Sequence, residues 1–213
     1  MLTINEIFYS IQGESSYTGR PCVFVRLTAC DLRCSWCDTT YAFENGKSFS
    51  VEDIVTTVDG FQCSLVEITG GEPLLQNDVY LLMQRLLKAG KTVMVETGGH
   101  LDTSKVPPEV IKVVDVKCPG SGESNRNDLD NLGRLYPHDE VKFVIRDRPD
   151  YEFARDIVQN HQLETRCAVV LFSPVHRVLT PKQLSEWVLN DHLPVQVQVQ
   201  LHKYFWGDDT RGV

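Results

Sequence analysis

A chain of 213 residues with 42% hydrophobic and 23% charged residues is long enough to bury a substantial core and has no bias toward disorder. Its formal net charge of −8 argues against a broad nucleic-acid surface, which needs clustered Lys and Arg, and favours a small-molecule substrate. No apolar run approaches the length needed to cross a bilayer, and the opening MLTINEIFYSIQGE has neither a basic n-region nor an apolar h-region. These features predict one domain over residues 1–213, located in the cytoplasm, with no membrane and no nucleic acid among its partners.

Residues 4–14 read as a short strand ending in a turn at Gly13, and residues 22–27 as a second strand. A polar loop with three cysteines follows. Residues 50–58 predict a helix: Ser50 can cap it, Asp53 falls at the capping-box position, and Val51, Ile54, Val55 and Val58 share one face. Residues 65–69 form a short apolar strand that runs into Gly70-Gly71-Glu72-Pro73, and the next helix spans residues 77–89, stopped by Gly90.

The alternation repeats with strands at 92–96, 113–116 and 141–145, a Gly-, Ser- and Asn-rich loop at 118–127, a short helix at 128–135 and a longer one at 151–162. A strand at 168–172, a helix opened by Thr180-Pro181 and a last strand at 195–201, where Val and Gln alternate, complete the pattern. Strands and helices in alternation imply parallel βαβ units. With about six strands and too few helices for eightfold closure, the expected fold is α/β, a partial, open (β/α) barrel whose ligands bind at the strand ends.

Five polar segments follow predicted strands: Gln12-Gly13-Glu14, Thr69-Gly70-Gly71-Glu72, Glu96-Thr97-Gly98, Asp115-Val116-Lys117 and Ser173-Pro174. One Gly-Gly pair alone is a turn. Five such ends beside a three-cysteine loop predict a shared site on one face of the barrel.

Cys30, Cys34 and Cys37 stand in a Cys-x-x-x-Cys-x-x-Cys spacing. Iron–sulfur clusters are held by closely spaced thiolates, and three ligands on a four-iron cluster leave one iron open for a reactant. A structural zinc site would call for a second Cys-x-x-Cys knuckle or His ligands at fixed spacing, and no second knuckle is present. Cys22, Cys63, Cys118 and Cys167 are scattered in or beside apolar segments and read as small buried hydrophobes, with Cys118 notable for following a strand end.

The cysteine spacing resembles that of radical S-adenosylmethionine (SAM) enzymes, and TGGEP at 69–73 resembles the segment with which they hold the SAM amino group. Together NEIFYSIQGES, FVRLTAC, CDTTYAF, TGGEP, ETGG, DVKCPGSGE and HKYFWG are similar to the 7-carboxy-7-deazaguanine synthase family over nearly the whole chain. The resemblance implies conversion of 6-carboxy-5,6,7,8-tetrahydropterin to 7-carboxy-7-deazaguanine with ring contraction and loss of ammonia. It implies a [4Fe-4S] cluster on Cys30, Cys34 and Cys37, SAM, and Mg²⁺ contacted by Thr39.

By the same resemblance, Gln12, Gly13, Glu14, Arg26 and Thr69 hold the substrate and the carboxylate of Val213 closes the pocket. Gly71, Glu72, Asp115, Lys117 and Ser173 line the SAM site, although Asp-Val-Lys-Cys-Pro stands here where some relatives read Ser-Pro-Lys. A flavodoxin-type or other electron donor and a homodimer are the implied partners. The rival readings are a glycyl-radical activating enzyme, which shares the cysteine spacing, and a non-catalytic iron–sulfur or zinc module.

Overall fold

The computed structural model describes residues 1–207 and 210–212. Nine strands are present among them: β1 (Leu2–Ile11), β2 (Pro21–Leu27), β3 (Lys47–Phe49), β4 (Leu65–Gly70), β5 (Thr92–Thr97), β6 (Ile111–Asp115), β7 (Glu140–Ile145), β8 (Val169–Pro174) and β9 (Gln196–Val197). The helices are α1 (Val51–Gly60), α2 (Val79–Lys88), α3 (Arg148–His161), α4 (Pro181–Asn190) and α5 (Leu201–Trp206).

The strands form one sheet in the order β3-β1-β2-β4-β5-β6-β7-β8-β9. From β2 onward every pairing is parallel, whereas β1 runs antiparallel to both β2 and β3. The sheet is open, with β3 and β9 at its edges. The expected partial, open barrel is thus present, extended on one side by the antiparallel β1 and β3.

Local signals explain the helices. Ser50 accepts from the Asp53 amide and the Asp53 carboxylate accepts from the Ser50 amide, so the capping box forms and Val51, Ile54 and Val58 are buried. In α4, Thr180 accepts from the Gln183 amide and Leu184 and Val188 face inward. The third helix begins at Arg148 rather than 151, because Asp147 accepts from the Asp150 amide and Pro149 fits the first turn.

Three further expectations change. Residues 128–135 contain a 3-10 helix, Leu129–Arg134, in which buried Asn131 donates to the carbonyls of Gly99 and Leu101 and accepts from Thr103. β3 was not foreseen: it is three residues long, too short to show a period. The strand expected at 195–201 shrinks to β9, whose partner residues are only Leu171 and Phe172, and Leu201 starts α5 instead.

Alternation along the parallel strands separates two environments. Val23, Val25, Val66, Ile68, Val93, Val95, Val141, Phe143, Val170 and Phe172 are buried in the apolar core. Each such Val, Ile or Phe contributes about 1.5–3 kcal/mol by leaving water. Their neighbours Arg26, Glu67, Thr69, Glu96, Asp115 and Lys142 point the other way and line a cleft.

Candidate active site

The concave side of the sheet holds a cleft of about 790 Å³. A barrel interior is normally filled with branched apolar side chains. Here it carries charged ones, and buried charge without a packing role marks a functional site.

The cysteine loop leaves β2 at Leu27 and is fixed from below. The Gly71 amide donates to the Leu27 carbonyl (3.2 Å) and the Glu72 amide to the Ala29 carbonyl (2.8 Å). A Cβ on Gly71 would collide with the Ala29 carbonyl oxygen and the Cys30 side chain, so this glycine allows the TGGEP turn to press against the cysteine loop. On the far side, Ser35 bonds the carbonyls of Ser121 and Gly120, and the Arg33 amide donates to Glu123 Oε1 (2.7 Å). Cys30, Cys34 and Cys37 are free, half-buried thiols that line the cleft, and burial raises the pKa of each.

Among the described residues no three His, Cys, Asp or Glu side chains close on one point as a mononuclear metal requires. A four-iron cluster places each thiolate on its own iron, so the three cysteines need not converge in that way. Three free thiols on one rigid loop facing an open cleft therefore fit a cluster better than a zinc ion.

The SAM-site expectations fall into two kinds. Glu72 is fully buried and its carboxylate is already engaged, accepting from the Leu74 amide (3.0 Å), the Thr97 hydroxyl (2.9 Å) and the Gly98 amide (2.7 Å). It holds the TGGEP turn to the end of β5, and it lines the cleft together with Gly71. Asp115 accepts from Lys117 Nζ at 2.7 Å; burial disfavours the charged lysine, but Asp115 and Cys34 outweigh it and raise its pKa. Asp115 Oδ1 and Ser173 Oγ are buried without a hydrogen-bond partner among the described residues. Orphaned oxygens here suit a ligand rich in donors, such as SAM. Lys117 and Asp115 line the cleft, while Ser173 sits on β8 beside the lining residue Val144.

The substrate-side expectations meet a different geometry. Because β1 is antiparallel, its end at Ile11 pairs with Pro21 and lies opposite the cysteine loop, so Gln12-Gly13-Glu14 does not emerge on the same face as the other strand ends. Instead the 12–16 loop turns inward and forms the floor of the cleft. Gln12 Nε2 donates to Glu67 Oε2, Glu14 pairs with Lys142, and Ser16 donates to Glu140. The loop thus spans from β4 to β7.

Arg26 and Thr69 are register partners on β2 and β4. Arg26 Nε donates to Glu6 Oε1 at 2.8 Å and its guanidinium lies over the rings of Phe8 and Tyr41. Thr69 Oγ1 donates to Glu96 Oε2 at 3.4 Å. Thr39 Oγ1 donates to Asp38 Oδ1 at 2.9 Å.

Sequence reasoning missed Glu67 and Lys142, and gave Glu96 no role of its own. Lys142 Nζ sits between Glu14 and Glu96, 2.7 Å from Glu96 Oε1. Burial disfavours its charge, but these carboxylates hold its pKa well above the usual lysine value. Burial pushes Glu67 up to about 8, reinforced by the charge of Glu96. The signal was present as single charged residues inside strands, Glu67 in LVEITG and Lys142 in EVKFVI, where a barrel strand should be apolar.

A strap from the other end of the chain covers the cleft. The Leu201 amide donates to the Gly13 carbonyl (3.0 Å), Gln200 Nε2 donates to Glu14 Oε1 (3.0 Å), and Lys203 pairs with Asp38 (2.7 Å). A Cβ on Gly13 would collide with His202 Nδ1. The Arg211 guanidinium lies 4.1 Å from the centre of the Tyr41 ring. Val213, expected to close the pocket, lies outside the described residues.

A family model described as the radical SAM superfamily matches residues 25–116, from β2 through the cysteine loop and TGGEP to the end of β6. Fold and site together define a radical SAM enzyme, a class that uses a [4Fe-4S] cluster and SAM. The 7-carboxy-7-deazaguanine synthase of Koribacter versatilis is 48% identical over 226 residues, covering 100% of both chains. That of Chlorobaculum tepidum is 43% identical over 215 residues, covering 100% of this chain and 97% of its own. The chain belongs to the 7-carboxy-7-deazaguanine synthase family. The crystal structure of QueE from Escherichia coli matches with a TM-score of 0.71 over 94% of each chain at 23% identity, a likeness of fold.

Proposed function

We propose that the cleft converts 6-carboxy-5,6,7,8-tetrahydropterin to 7-carboxy-7-deazaguanine with loss of ammonia. The observation that carries this reading is the placement of three free thiols at one end of a cleft whose floor and walls are polar and charged, in a chain 48% identical over its whole length to a protein of that name. When bound, the cluster and SAM supply a 5′-deoxyadenosyl radical. Cys30, Cys34 and Cys37 hold the cluster. Gly71, Glu72, the Asp115–Lys117 pair and Ser173 hold SAM, with Glu72 also fixing the turn.

Gln12, Gly13, Glu14, Arg26 and Thr69 hold the pterin. The terminal nitrogens of Arg26 grip its carboxylate while Nε stays on Glu6, a geometry open to a guanidinium and closed to an ammonium. Thr39 offers a hydroxyl oxygen to Mg²⁺, which takes oxygen ligands and keeps several waters. Val213 is assigned to the mouth of the pocket. One domain, a cytoplasmic location, a homodimer and a flavodoxin-type or other one-electron donor complete the reading. A glycyl-radical activating enzyme must admit a protein loop, and the strap over this cleft leaves a small acid the better fit.

The test is anaerobic. The protein is reconstituted with iron and sulfide, supplied with SAM, Mg²⁺, a reductant and the tetrahydropterin, and followed by mass spectrometry. Formation of 7-carboxy-7-deazaguanine is expected. 5′-Deoxyadenosine without that product would keep the class and remove the substrate.

A further inference from the structure

The reaction proposed above ends with the departure of an amine from a ring-contracted isomer of the substrate, a step that needs one proton taken from carbon and one given to nitrogen. Lys142 and Glu96 lie side by side in the cleft. Their charged atoms are 2.7 Å apart, and both side chains line the cavity. Glu14 stands on the other side of the same ammonium, and Thr69 donates to the second oxygen of Glu96. Both residues are inward-facing strand residues, on β7 and β5, so their positions are set by the sheet and not by a loop.

No packing requirement explains a lysine there. An apolar side chain at either position would fill a barrel interior at no desolvation cost, whereas an ion pair inside a protein roughly breaks even at best. An acid and a base held in contact within a reaction cleft are, in contrast, what a proton-neutral elimination uses.

We propose that Glu96 and Lys142 are the base and the acid of the ammonia-releasing step, an inference that rests on the pterin reading given above. The Glu96 carboxylate takes the carbon-bound proton, and the electrons of that C–H bond form the new ring double bond. The C–N bond breaks with its electron pair going to nitrogen, and Lys142 gives that nitrogen a proton, so that ammonia leaves. The Glu96 carboxyl then passes its proton across the 2.7 Å contact to the neutral Lys142 amine. No electron is gained or lost, and the pair returns to its starting state. Glu14 holds Lys142 in place from the other side.

The test compares wild type with Glu96→Gln and Lys142→Arg. Glu96→Gln keeps shape and polarity; Lys142→Arg keeps the charge but cannot give up its proton at working pH. Substrate consumption and ammonia release are measured in the same anaerobic reaction, with mass spectrometry for an amine isomeric with the substrate. The expected result is a split: ammonia release and product formation fall about 10²-fold, the usual worth of a positioned acid or base, more than substrate consumption does, and the isomeric amine accumulates. Proportional loss of both, without the amine, would make the pair a structural or binding element and overturn the proposal. Unchanged product formation in either variant would overturn it as well. Should Lys142→Arg fail to fold, Glu96→Gln alone decides by the same split. If wild type forms neither ammonia nor 7-carboxy-7-deazaguanine from the pterin, the substrate reading has failed first, and this step falls with it.

Discussion

His100 Nε2 lies 2.7 Å from Asp31 Oδ1, joining the end of β5 to the residue after the first cysteine of the loop. The ring is buried, and its Nδ1 faces Glu72 at 3.8 Å. Arg126 grips the other oxygen of Asp31 (2.6 Å). The cysteine loop, the TGGEP turn and the ETGG strand end are thus tied through one imidazole. His100→Ala is expected to lower unfolding stability by about 1–3 kcal/mol, as for a lost buried partner, and to speed iron loss to a chelator. Iron retention equal to wild type would show that Arg126 alone secures Asp31.

The thiols separate by position. Cys30→Ala, Cys34→Ala and Cys37→Ala are each expected to abolish SAM cleavage. Cys118 is 1% exposed within the apolar core, so Cys118→Ala should keep SAM cleavage, as should Cys63→Ala. A comparison of 5′-deoxyadenosine yield and iron content across the five variants checks this, and equal activity in all of them would remove the cluster from these three residues.

Glu67 gives a pH prediction. Its folded pKa is raised by burial to about 8, above the ordinary value of about 4.3 expected in the unfolded chain. The folded state therefore binds more protons between these two values, and stability falls as pH rises through that window. Glu67→Gln keeps an acceptor for Gln12 and removes the titration. Relative to wild type, the variant should gain stability from pH 5 to pH 8.5 in chemical denaturation. A difference that does not change with pH would mean that Glu67 is ionised throughout.

Arg26→Lys tests geometry at constant charge. An ammonium cannot hold Glu6 and a substrate carboxylate in one plane. Loss of a charge-assisted bond of about 1.5–3 kcal/mol predicts KM for the pterin up about 10-fold or more, with reductive SAM cleavage in its absence unchanged. An unaltered KM would take Arg26 out of the binding site.

Gly13→Ala would drive a methyl group into His202. The expected result is displacement of α5, seen as faster proteolysis near residue 200 and a raised KM. His202→Ala in the same chain should restore much of both, since the nearest obstacle is the imidazole and the backbone amide of His202 lies farther off, at 3.1 Å. Failure of that rescue would place the conflict elsewhere.

The barrel and its cofactor end were legible because their signals are local. Capping residues, apolar periods, the cysteine spacing and TGGEP each span a few positions, and all predicted site residues among those described, except Ser173, line the cleft. The floor was misread because strand direction is not written in a strand: nothing in NEIFYSIQGE says that β1 runs against β2. Glu67 and Lys142 were passed over, and Glu96 was given no role of its own, because an isolated charge in a short strand is informative only once the face it occupies is known. The approach to the strap, residues 198–201, was read as strand because Val-Gln alternation has the right period, while the pairing it needs ends after two residues.

The two halves of the cleft are also assembled on different length scales. The three thiols fall within eight consecutive positions, whereas the floor and strap depend on Ser16 meeting Glu140 and Glu14 meeting Gln200, 124 and 186 positions apart. Closing a longer loop costs more chain entropy, and distant pairings slow folding. The contacts that hold the cysteine loop to residues 120–126 span 85 to 95 positions, about half the reach of the strap. We expect the strap to close last in refolding, so that the cleft gains its cover after its walls.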